Sequence, residues 1–257
     1  ARNFDVGCAS RGGMLACLAA QRGVTGARNS LEGDFGLFNV YHQGKYDPEA
    51  LTAELGRRFE AANLSFKPYP CARPIHPFVD LALALRREHD IRPEDVKEVI
   101  GYVDEEPYLQ FHPVKEKQSP RTITDAKLSI PYCVAVALVK GDVVIDDFSQ
   151  SAIADPRVIS MAQKVVPRLD ASLARPKEVP PAIVEIRTKS DTYSKRAEYP
   201  RGHPQNPLSM ESLLLKFRDC AAHASKQVPE ADLSEVIDMV GRLEEVKDVG
   251  RIVQFLT

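Results

Sequence analysis

Apolar positions recur at helical spacing towards both ends of this chain, while β-branched and alternating runs fall in its middle. That pattern predicts helices flanking a strand-bearing centre. Gly12 to Gln21 is a short alanine- and leucine-rich helical run, followed by turn signals at Gly23-Val-Thr-Gly26 and Glu32-Gly-Asp-Phe-Gly36. A helix of that apolar density cannot cover itself, so it must pack against helices outside this sequence or against the C-terminal ones. Asp47 to Leu55 has helical character, with Asp47-Pro48 as N-cap and first-turn proline. His76 to His89 carries Phe78, Leu81, Ala82 and Leu85 at helical spacing and ends in Arg86, Arg87 and His89, cations that suit a helix C-terminus. Val96 to Val103 is a β-branched strand, broken by Glu105-Glu106-Pro107 before Tyr108. Thr124 to Lys140 is the strongest buried-helix candidate, closed by Gly141, and Asp155 to Val166 is another, capped by Asp155 and Pro156. Ala182 to Tyr199 alternates in its first half and turns around Lys189 to Asp191, which predicts a two-stranded hairpin. Ser209 to Lys226 and Asp232 to Val246 close the chain as two amphipathic helices.

The fold class this order predicts is α+β: a helical layer built from both chain ends, with a smaller α/β domain inserted. The boundaries are residues 1–66 for the first helical part, 67–200 for the insert and 201–257 for the returning helices. The hinges are the proline segment that starts at Lys67 and Tyr199-Pro200-Arg201-Gly202, and sites commonly lie at such junctions.

Composition narrows the functional classes without naming one. The 257 residues are 44% hydrophobic and 27% charged with a formal net charge of −2, which fits a soluble globular protein and gives no electrostatic case for nucleic acid. The apolar run Ile130 to Val139 is too short to cross a bilayer, so no membrane association is expected. Five cysteines, at 8, 17, 71, 133 and 220, lack any paired CxxC spacing, which suggests neither a disulfide framework nor a zinc or iron–sulfur knot. A cytoplasmic setting is the default. The opening Ala1-Arg-Asn-Phe-Asp has neither an initiator methionine nor a signal peptide, so further sequence is expected upstream.

The densest candidate chemistry is Lys67-Pro-Tyr-Pro-Cys71-Ala-Arg73-Pro-Ile-His76-Pro, which sets a lysine, an arginine, a thiol and an imidazole on a backbone stiffened by four prolines in eleven residues. Proline fixes φ and pushes its predecessor towards extended geometry, so Phe66 to Ile75 is expected to be non-helical, with a helix starting near His76. A solvated proline-rich connector would look much the same. Glu105-Glu106 only superficially resembles a carboxylate pair, because adjacent strand residues point to opposite faces. The Gly12-Gly13 and Gly33 to Gly36 pairs lack the strand-glycine-helix context of a phosphate loop.

Several ordered motifs together resemble the MmgE/PrpD family. They are Lys67-Pro-Tyr-Pro-Cys with His76-Pro, Asp125-Ala-Lys-Leu-Ser129-Ile-Pro-Tyr, Pro200-Arg-Gly-His-Pro-Gln-Asn-Pro-Leu-Ser209, and Lys216-Phe-Arg218. The glycine turns of the first sixty residues fit too, so the resemblance covers essentially the whole chain. It implies a large helical domain, a smaller α/β lid and an active site in the cleft between them, with dimers built through the helical domain. It also implies that this chain corresponds to the C-terminal portion of a family member, with other helices carrying part of the site. By the same resemblance Lys67 and Tyr108 fall on family active-site positions, and Arg2 stands where relatives have a lysine. Ala72 stands where the decarboxylase branch has a histidine, which argues against cis-aconitate decarboxylation.

The chemistry implied is removal of a proton or leaving group next to a carboxylate, without metal or other cofactor. Developing enolate-like charge needs fixed cations and donors in a water-poor cleft. Lys67, Tyr108 and His76 are the catalytic candidates, while Arg2, Arg73 and Cys71 are the substrate-binding ones; arginine can hold a carboxylate bidentately. The first expectation is a lyase dehydrating a small hydroxy di- or tricarboxylate such as 2-methylcitrate. Epimerisation of an amino- or imino-dicarboxylate is the second. The competing class is a non-catalytic partner subunit. The expected partners are the carboxylate substrate and either a second copy of the chain or a complementary N-terminal helical chain.

Overall fold

Val96–Val103 becomes β1, a central strand of a four-stranded sheet in the computed structural model, which describes residues 2–104, 108–175 and 180–256, without the side chains of Arg2 and Asn3. The sheet order is β2-β1-β3-β4, where β2 is Val165–Leu169, β3 is Ala182–Thr188 and β4 is Thr192–Ala197. β1 runs parallel to β2, with Val99 opposite Val165, and antiparallel to β3, while β3 and β4 form the expected hairpin. The fold class is α+β.

The chain divides into two compact units, Ala1–Glu60 and Ala61–Thr257. In the first, α1 (Arg2–Gln21) is longer than the predicted run, α2 spans Leu37–His42, and α3 is only Glu49–Thr52. The predicted helix to Leu55 stops early because Glu54 and Gly56 take left-handed backbone angles. Phe4, Met14 and Leu15 of α1 are 64–75% exposed.

The second unit holds the core. His76–Glu88 is α4, starting where expected, and it packs on β3, β4 and the buried helix described next. Val114–Gln118 is α5, Ile123–Lys127 is α6 and Ile130–Lys140 is α7, followed by α8 at Pro156–Ala162. The single helix predicted over Thr124 to Lys140 is therefore two. Pro131 has no amide for an uninterrupted ladder, so the chain restarts there: Ser129 Oγ accepts the Tyr132 amide at 3.0 Å as N-cap, and Thr122 with Asp125 closes a capping box on α6. Every residue of α7 from Ile130 to Leu138 is buried, and Gly141 closes it as predicted. The helix predicted over Asp155 to Val166 ends at Ala162, because Val165 and Val166 are taken into the sheet. Pro167 is tolerated there since β2 is an edge strand. Beyond the hairpin come α9 (Met210–Ala222), α10 (Glu230–Gly241) and α11 (Gly250–Leu256), the last unpredicted. Ser209 caps α9 through the Ser212 amide.

Close packing fixes the sheet against α4. A Cβ on Gly101 would stand 2.6 Å from Phe111 Cζ, whose ring meets Phe78 edge-on with centroids 6.0 Å apart. No larger residue fits there. Among the described residues no helix is long and apolar enough to cross a membrane.

Candidate active site

The proline segment folds as an extended run up to Ala72, then a 3-10 turn at Arg73–Ile75 that leads straight into α4. Its backbone turns two of the predicted side chains onto one acceptor. Lys67 Nζ donates to the Cys71 carbonyl at 3.4 Å, and His76 Nε2 lies 3.3 Å from the same oxygen. A carbonyl can only accept, so that nitrogen of His76 carries the proton. His76 is 1% exposed and rests edge-on against the Tyr69 ring, whereas Lys67 is exposed and keeps ammonium protons free for another partner.

Cys71 is buried beside a second thiol that the sequence reading did not include. Cys133, on α7, lies within hydrogen-bond reach of the Ala126 carbonyl, 3.5 Å away, and of Cys71, to which its one S–H turns when Cys71 is a thiolate. That bond from Cys133, then His76 and Lys67, holds the Cys71 thiol down to about 6 against the opposing effect of burial. Burial pushes Cys133 well up, so any thiolate belongs to Cys71. A negative sulfur here is balanced by the ammonium of Lys67.

A polar clamp ties this segment to the distal hinge. Tyr69 donates to Asp80 Oδ1 at 2.7 Å, the Arg201 amide donates to Asp80 Oδ2 at 2.9 Å, and Arg201 Nη1 reaches the Tyr69 hydroxyl at 3.4 Å. Burial raises Asp80 above the usual carboxylate range and, with Asp80, raises the Tyr69 phenol. The Phe66 amide donates to the Gly202 carbonyl at 2.8 Å, and Lys216 Nζ donates to the Lys67 carbonyl. Gly202 has φ +85°, and a Cβ there would lie 2.0 Å from the Phe66 oxygen. The two predicted hinges are thus one paired element. An acid four residues after His76, inside the apolar stretch Pro77 to Leu85, is the signal that points to Asp80, and Lys216 opens one of the resemblance motifs; Cys133 carried no such signal.

The other candidates are placed apart. Tyr108 is half-buried and stacks on His112, with ring centroids 3.8 Å apart, and no hydrogen bond or ring contact among the described residues joins it to Lys67, Cys71 or His76. The buried Nε2 of His112 has no hydrogen-bond partner among the described residues. Arg73 is exposed, without a side-chain hydrogen bond or ion pair among the described residues. The Arg2 side chain and Glu105-Glu106 lie outside the described residues. The structure therefore brings together Lys67, Cys71 and His76, adds Cys133, Tyr69, Asp80 and Arg201, and leaves Tyr108 with His112.

The model of the MmgE/PrpD C-terminal domain matches residues 69–241. The chain is 25% identical to cis-aconitate decarboxylase of Mus musculus over 98% of its own length and 51% of the relative. Identity is 24% to the Homo sapiens cis-aconitate decarboxylase, over 98% of this chain and 52% of that protein. A cis-aconitate decarboxylase-like protein of Aspergillus oryzae is 22% identical over 97% of this chain and 53% of its own length. The chain thus spans about half the length of these curated relatives.

Proposed function

This chain belongs to the MmgE/PrpD family, and on that premise we propose that it serves a lyase reaction, breaking a bond next to a carboxylate of a small di- or tricarboxylate. The observation that carries this reading is the exposed Lys67 ammonium, held by the Cys71 carbonyl on a proline-stiffened backbone beside buried His76. A cation fixed before the reaction begins stabilises enolate-like charge as it develops and needs no reorganisation to do so. His76, its Nε2 proton committed to Cys71, orients that turn, which leaves Tyr108 as the proton carrier. Arg73, exposed and unpaired, is suited to take a substrate carboxylate.

Dehydration of a 2-methylcitrate-like hydroxy acid is the first reaction to test. Decarboxylation of cis-aconitate is the second reading, favoured by the names of the relatives although Ala72 argues against it. The Phe66–Gly202 pairing at its base supports residues 67–200 acting as a lid, and exposed α1 supports a second helical polypeptide or another copy of the chain as the partner that completes the site. The test assays the protein purified from its source, with any co-purifying chain, for loss of water from 2-methylcitrate and release of carbon dioxide from cis-aconitate. Turnover of either that falls about a hundredfold in Lys67→Ala, with folding unchanged, supports the proposal. No turnover of either, or full turnover by Lys67→Ala, defeats it.

A further inference from the structure

A cavity of about 500 Å³ opens between α4, the loop Gly141 to Ile145, the turn after β4 and α9. It touches the proline segment only at Pro68, Tyr69 and Pro70; Lys67, Cys71, Arg73, His76 and Tyr108 do not line it. Its walls are apolar at Leu83, Val143, Leu208 and Leu215. Three cations reach it from three separate segments, Arg87 from α4, Arg201 from the turn and Lys216 from α9.

The charge balance inside is uneven. Two carboxylates share the lining against the three cations: Asp142, whose Oδ1 accepts the Val143 amide at 2.7 Å, and Asp219, whose Oδ1 lies 3.6 Å from His223 Nδ1. Of the cations, Arg201 has a carboxylate close by, Asp80 behind the Tyr69 hydroxyl. Arg87 makes no hydrogen bond or ion pair among the described residues, the Arg201 guanidinium meets only the Tyr69 hydroxyl, and Lys216 Nζ meets only the Lys67 carbonyl. Arg87 and Lys216 are thus left without an ion-pair partner among the described residues.

We propose that this cavity is a second anion site, taking a small polycarboxylate whose carbon backbone lies on the leucine and valine wall while its carboxylates meet Arg87, Arg201 and Lys216. Arginine offers parallel N–H donors matched to a carboxylate, and lysine adds a point charge. Inorganic phosphate has no carbon backbone to cover the apolar wall. The site shares Arg201 and Lys216 with the clamp on the proline segment but not the Lys67 ammonium, so the Lys67 side chain separates it from the lyase reading.

Titration calorimetry of the purified chain at low ionic strength tests it, using tricarballylate as probe and inorganic phosphate as control. Arg87→Gln is the main variant, because that exposed, unpaired side chain contributes nothing visible to the fold; Lys67→Ala is the companion. Expected are saturable tricarballylate binding, a loss of about tenfold in affinity in Arg87→Gln, and no loss in Lys67→Ala. The proposal is overturned if tricarballylate does not bind. It is equally overturned if phosphate binds as tightly, or if Lys67→Ala abolishes binding while Arg87→Gln leaves it intact.

Discussion

Two apolar helices of this chain end in opposite circumstances. α7 is eleven residues long and buried from Ile130 to Leu138, enclosed by α4, α5 and α8 and touching β2. α1 is twenty residues long, rich in alanine and leucine, and its Phe4, Val6, Met14, Leu15 and Leu18 side chains are exposed. Composition differs as well as neighbours, since α1 carries Arg2, Asp5, Arg11 and three glycines where α7 is apolar from Ile130 to Val139, and burial of apolar area rather than helicity is where the larger free energy lies.

The sharpest way to break that contrast is a matched pair of truncations. Leu138→Ala in α7 is expected to cost about 2–5 kcal/mol of unfolding free energy through the lost side chain and the cavity left behind. Leu15→Ala in α1 is expected to change it by less than about 0.5 kcal/mol. Denaturant titration of both variants reads the difference, and similar losses would mean that α1 is covered in solution.

Glycine replacements sharpen the contrast with a change of sign. Gly202→Ala forces a side chain into left-handed backbone and against the Phe66 carbonyl, so a loss of about 2 kcal/mol is expected. Gly12→Ala, with nothing near its Cβ position in α1, is expected to gain up to about 1 kcal/mol from helix propensity. Thermal melts recorded side by side check both directions.

The smallest effect concerns the thiols. Cys8 and Cys17 on α1 are exposed and should alkylate readily, whereas Cys133 on α7 should stay protected until the chain unfolds. Ultraviolet thiolate absorbance should show one step near pH 6, from Cys71, that is missing in Cys71→Ser. Cys133→Ala should move that step upward more than Lys67→Met does, because the hydrogen bond from Cys133 is the larger influence. A thiol whose folded pKa is depressed stabilises the fold above its unfolded value near 9 and loses that contribution as pH falls through about 6.

The sequence made legible those parts of the fold that local chemistry settles. Val96–Val103, the hairpin, the start of α4 at His76-Pro77 and the Gly141 cap stand where spacing and propensity put them. What it concealed depends on remote partners. Val165-Val166 is too short a β-branched pair to announce a strand, and it becomes one only because β1 offers an open edge. In the site, Lys67, Cys71 and His76 converge because prolines fix the backbone between them. Cys133 and Lys216 belong to the cluster only through tertiary folding, and no window of sequence contains both them and Lys67.

The pairing of Phe66 with Gly202 has a consequence for how such a chain can change over evolutionary time. The stretch between them leaves and re-enters at paired backbone positions, a doorway, and besides that pair it is tied to α9 by Lys216 on the Lys67 carbonyl and His223 on Asp146. Exposed loops of that stretch that touch neither the Phe66–Gly202 pair nor α9 are where length can change with least effect on the flanking helices. The glycine is what the doorway cannot trade away, because any other residue at 202 would hold it ajar.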